Sequence, residues 1–98
     1  MPKKSPQTLE QLGIPTVTFY RIEIFYETDD ENDTEVEIRR HVTSLKIDND
    51  KADYNMMPGS PASSPYVTVE GTSRRHVEQL AIEIVKLLQE QDGVSLQK

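Results

Sequence analysis

Two hydrophobic periods run along this chain, and they divide it into elements. Residues 16–27, TVTFYRIEIFYE, alternate: Tyr20, Ile22, Ile24 and Tyr26 share one face. Arg21, Glu23 and Glu27 lie on the other, with Phe19 and Phe25 among them. The β-branched and aromatic content predicts a strand with its even positions turned inward. Residues 35–42, EVEIRRHV, also alternate, with Val36, Ile38 and Val42 opposed to Glu37, Arg39 and His41. They predict a second strand. Residues 66–70, YVTVE, predict a third, with Val67 and Val69 inward. The period then changes. Val77, Leu80, Ala81, Ile84, Leu87 and Leu88 recur at helical spacing, widened by Ile82 and Val85. This predicts a helix over 73–91, capped by Thr72 or Ser73 and ended by Gly93.

Parity sets an expected register for the first two strands. Even positions must oppose even positions, which places Tyr26 opposite Val36, Ile24 opposite Ile38 and Tyr20 opposite Val42. Glu23 then faces Arg39, and residues 28–34 become an acidic hairpin loop. A bulge near Thr43-Ser44 accounts for the later shift of apolar parity to Leu45 and Ile47. The expected organisation is an N-terminal arm over 1–15, one α+β domain over 16–93 with an irregular loop at 48–65, and a frayed tail at 94–98. The arm carries a possible short helical turn at Thr8–Gly13. The fold class predicted is two-layer α+β: a three-stranded antiparallel sheet packed by one long C-terminal helix, in the order β-β-β-α.

Charge changes what this scaffold is expected to do. The 98 residues carry 17 acids and 11 bases, a net charge of -6. The excess lies in the middle: eight acids against four bases over 16–47, and four against one over 48–72. Anionic nucleic acid backbones and membrane surfaces are repelled by such a surface. There is no cysteine, so neither a disulfide nor a thiolate site is available. No apolar run approaches the ~20 residues of a membrane helix. The first residues carry charge without an apolar stretch behind them, unlike a signal peptide. A cytoplasmic protein is expected.

The acids supply the first candidate site: Asp29, Asp30, Glu31, Asp33 and Glu35, joined by Asp48, Asp50 and Asp53 if the long loop folds back. Such an array can enter a basic cleft on another protein, raising its rate of association. The plainer reading is a set of solvated tips that keep a sheet edge soluble. Asp29, Glu31 and Asp33 alternate as the first ligands of a calcium loop do, but the sixth position is Thr34 and the twelfth Arg40, so no metal site is expected. The second candidate is the outer sheet face, with Phe19, Phe25 and His41. Two aromatics among charges resemble interface anchors, unless the arm or a second subunit covers them.

Catalytic chemistry finds little footing. The two histidines are His41 and His76, and the four glycines, at 13, 59, 71 and 93, form no phosphate-binding loop. No enzyme and no cofactor are expected. The third candidate lies at the start of the last helix. Gly71-Thr72-Ser73-Arg74-Arg75-His76-Val77-Glu78-Gln79-Leu80-Ala81 resembles the opening of the final helix in double-stranded RNA-binding domains. That resemblance implies phosphate contacts from Ser73, Arg74 and Arg75. A helix start favours anions, and two arginines there suit an external one.

The expectation is therefore a small acidic, non-enzymatic module that binds a protein with a basic surface, with a homodimer possible. Its size and charge suit a phage or mobile-element accessory protein or inhibitor. The alternative is a module for double-stranded RNA.

Overall fold

The structure, a computed structural model, describes Gly13 and residues 18–97. The turn expected over residues 8–13 lies, apart from Gly13, outside the described residues, as do residues 16–17. The first alternating run forms β1 (Tyr20–Thr28). The second run does not form a strand. Residues 35–42 belong to a 15-residue helix, α1 (Glu31–Leu45). Asp30 caps it: its side-chain Oδ1 accepts from the backbone N–H of Asp33 at 3.0 Å. Helical spacing brings Thr34 and Ile38 to the core and leaves Val36 half exposed, at 50%. The predicted register of β1 with residues 35–42 is thereby overturned, and Glu23 does not face Arg39. Arg39 instead holds Glu35 along the helix, at 2.6 Å.

The region expected to be an irregular loop, 48–65, contains β2 (Asp53–Met57). The third run forms β3 (Tyr66–Gly71), with Val67 and Val69 buried as expected. The long helix is α2 (Arg74–Glu90), with Val77, Leu80, Ala81, Ile84 and Leu88 buried. The expected tail contributes β4 (Val94–Leu96). Gly93 makes that return possible. Its φ of 77° lies in the left-handed region, and its carbonyl accepts from the Asp29 N–H at 3.0 Å.

The sheet has four strands, not three, in the order β2-β3-β1-β4, with every neighbour antiparallel. With two helices interleaved, the chain runs β-α-β-β-α-β, the connectivity of a split β-α-β domain. The coarse expectation of an antiparallel sheet under helices holds. Its strand count, helix count and order do not. Both helices cover one face. There Ile24, Tyr26, Val67 and Val69 meet Ile38, Val77, Leu80, Ile84 and Leu88 in a single core. Gly71 sits where the turn before β2 crosses the sheet: a Cβ there would overlap the Lys51 carbonyl oxygen.

Candidate functional site

Because both helices lie on one side, the odd positions of β1 remain on an open face. Register assembles that face in rows. Phe25 lies opposite Tyr66, which lies opposite Met57. The rings of Phe25 and Tyr66 stack with centroids 4.6 Å apart and planes 26° apart. Glu23, Thr68 and Asn55 form the next row, and Arg21, Glu70 and Asp53 the one beyond. Arg21 holds two carboxylates, Glu70 at 2.8 Å and Glu23 at 3.0 Å. These two bonds, Glu23 foremost, raise its guanidinium pKa above the ordinary value. Glu27 lies beyond Phe25, where Gln97 Nε2 donates to it at 2.8 Å. The face thus presents an apolar row, Phe25–Tyr66–Met57, among four carboxylates (Glu23, Glu27, Glu70, Asp53) and one guanidinium.

The sequence-predicted residues divide between this face and elsewhere. Phe25 is on it, 36% exposed. Phe19 is 68% exposed just before β1 and borders a 220 Å³ depression with Asp50, Asp53 and Glu70. His41 is not on it. His41 belongs to α1, and its Nε2 lies 3.2 Å from Glu83 Oε1 of α2, joining the two helices on the covered side.

The acids do not form one array. Asp29, Asp30, Glu31, Asp33 and Glu35 gather where β1 ends and α1 begins. Most are engaged locally: Asp30 as the cap, Glu35 with Arg39, and Glu31 accepting the Gly59 N–H at 3.4 Å. Asp48, Asp50 and Asp53 lie at the other end of the sheet, where Asp53 pairs with Glu70 and Glu70 with Arg21. β1 separates the groups by roughly 25 Å, at about 3.3 Å per residue. The Asp48 carboxylate closes its own turn on the Asp50 N–H at 3.0 Å, and that of Asp53 accepts the Tyr54 N–H at 2.8 Å. Among the described residues, no three His, Asp or Glu side chains cluster closely enough to hold a metal ion.

At the start of α2, Ser73 is the cap. Its Oγ accepts the His76 N–H at 3.4 Å and lies 2.6 Å from His76 Nδ1. Arg74 Nε donates to Glu78 Oε1 at 2.8 Å, which raises the Arg74 pKa. Arg75 is exposed at the same end. The serine–histidine contact is helix-cap geometry, and no carboxylate hydrogen-bonds the other ring nitrogen of His76 among the described residues.

Sequence reasoning missed Tyr66 and Met57. Tyr66 was within reach, since inward Val67 and Val69 turn it outward by parity. Met57 gave no signal, because its strand lies in a polar, proline-flanked stretch. No helix among the described residues is long and apolar enough to cross a membrane. No family model matches the chain, and no curated protein or solved structure was found to match it.

Proposed function

We propose that this chain is a non-enzymatic binding module that docks another protein through the open face of its sheet. The observation that carries this reading is the Phe25–Tyr66 stack, flanked by Met57, on a sheet face that no described helix covers, with charged and polar neighbours around it. An apolar centre inside a polar rim is the anatomy of a protein interface. The rim selects the partner. Four carboxylates against one doubly held guanidinium favour basic side chains opposite and speed the encounter. Two copies of this face would set carboxylates against carboxylates, which argues for a different protein as the partner.

Stacked aromatics on the two central strands of such a sheet also suit single-stranded nucleic acid. That mode tracks the phosphates with cations, and among the described residues the one cation of this face, Arg21, is already paired with Glu23 and Glu70. The double-stranded RNA alternative would draw on Ser73, Arg74 and Arg75. Of these, the Ser73 hydroxyl serves the helix cap and Arg74 is paired with Glu78. Both nucleic acid readings therefore rank below protein binding.

The test is differential capture. Immobilised wild-type protein and a Phe25→Ala/Met57→Ala variant are exposed to host extract at low and high salt, and bound proteins are quantified. The variant should lose about 1 kcal/mol with the aromatic stack and more with the partly buried Phe25 and Met57 side chains, and its far-UV circular dichroism should still match that of the wild type. It should lose a basic protein that the wild type retains at low salt. An identical captured set from both would sink the proposal.

A further inference from the structure

The edge of β1, which borders the open face, holds a second feature. β4 pairs only with Tyr26, Glu27 and Thr28, and its extension adds one bond, from the Gln97 N–H to the Phe25 carbonyl at 3.0 Å. From Tyr20 to Ile24, no described residue pairs with β1 on that side. Backbone direction follows from the bonds that are made. Phe25 and Asp29 turn toward β4, whereas the Tyr26 N–H turns the other way, to Pro65. Alternation then points the N–H and C=O groups of Arg21 and Glu23 out of the unpaired edge. Directly above it, α2 overhangs a chiefly apolar groove of 460 Å³, floored by Ile22 and Ile24 and walled by Ala81, Ile82 and Val85. Glu78, Lys86 and Gln89 complete its lining. Ile82 is 54% exposed there. Where β4 stops short, nothing described lies beneath the outer flank of α2.

We propose that this edge and groove bind an extended segment of another protein as an added strand, with apolar and basic residues in alternation. Unpaired backbone groups beside a pocket for every second side chain are the two requirements of strand addition. The alternation follows from the register. A residue opposite Ile22 points into the groove, whose exposed lining is chiefly apolar, so an apolar side chain is favoured there. Residues opposite Arg21 and Glu23 emerge on the open face. Arg21 is already held by Glu23 and Glu70, so the local excess is negative and a basic side chain is favoured. A second copy fits less well. Adding its own β1 would bring its own α2 over the same edge, where α2 already packs across β1. A strand with no covering helix meets no such obstacle.

The test uses full-length protein and an end-blocked octapeptide of alternating lysine and valine. Amide exchange is followed at Arg21 and Glu23. Both amides should exchange rapidly in the free protein and slow at least about tenfold with saturating peptide. The same peptide with its third and fifth residues changed to proline should protect neither. Ile82→Glu, at a half-exposed position, should leave the thermal midpoint nearly unchanged yet weaken binding at least about tenfold, since the strand would bury a carboxylate. Glu23→Gln should weaken it by up to about fivefold. Three results overturn the proposal. One is no protection at millimolar peptide. Another is protection already present in a monomeric free protein, which would mean that the chain's own N-terminal residues cover the edge. The third is protection accompanied by a dimeric mass, which would mean a second copy does.

Discussion

The two faces of this sheet are built from the same strands, one residue out of phase, and they have opposite fates. Tyr26 is 1% exposed beneath the helices, while Phe25, its neighbour in sequence, is 36% exposed on the open side. Both are large aromatics, so hydrophobicity alone does not separate them. Neighbours do. The even face meets Leu80, Ile84 and Leu88 of α2 and Ile38 of α1. Among the described residues, the odd face meets its own cross-strand partners and, at its edge, Phe19 and the Asn49–Asp50 turn, but no helix. An aromatic on the first face holds the fold together. An aromatic on the second is left over after folding, which makes the Phe25–Tyr66–Met57 row a candidate site.

The largest expected effect tests the covered face. Ile84 is fully buried, so Ile84→Ala should cost about 2–5 kcal/mol in urea unfolding, from lost transfer energy plus the cavity left behind. Ile82→Ala, two residues away on the groove side, should cost much less. Similar losses at both positions would show that α2 has no distinct inner face.

Tyr26 sharpens the comparison through pH. Burial first, then the carboxylates of Glu31 and Glu35, pushes its phenol up from 10.0 to about 12. The protonated form is favoured in the folded state, so this contribution is intact below pH 10. It falls away as pH rises toward and through about 12, because the unfolded chain releases its proton first. Two pKa units correspond to roughly 3 kcal/mol. Unfolding free energies measured between pH 9 and pH 12 should decline accordingly. A Tyr26→Phe variant should lack that component of the decline, and an equal decline in both proteins would refute the assignment.

The same contrast explains which parts of the fold were legible in the sequence. α2 was readable because its stripe runs for several turns. β1 and β3 were readable because their inner faces alternate cleanly. Residues 35–42 misled because Val36 and Ile38 sit two apart and are β-branched, a strand-like pattern over a short window. The competing signal was present: Asp30 as a cap, acids in the first turn, and Thr34, Ile38, Val42 and Leu45 at helical spacing. β2 and β4 are short and weakly apolar, so only tertiary pairing defines them. The candidate sites were less legible still. Phe25 could be seen as outward-facing by parity. That Tyr66 lies beside it, that His41 lies on the other side, and that β4 stops short of the groove all depend on strand order. Local patterning does not encode that order.

The smallest expected change in stability concerns the carboxylates around the apolar row. Glu27 accepts a hydrogen bond from Gln97, and Asp53 from the Tyr54 backbone, each through one oxygen at 2.8 Å. Glu27→Gln and Asp53→Asn keep an oxygen in each place and remove only the charge. Neither acid forms a salt bridge among the described residues, whereas Glu23 and Glu70 are tied to Arg21. The double variant should therefore unfold within about 0.5 kcal/mol of the wild type. Its association with a basic partner should nevertheless slow, and the salt dependence of that rate should flatten, since these charges act at long range before contact. Wild-type kinetics in the double variant would confine the open face's contribution to its apolar row. A large loss of stability would instead mean that the rim charges hold the sheet together, erasing the distinction between the two faces.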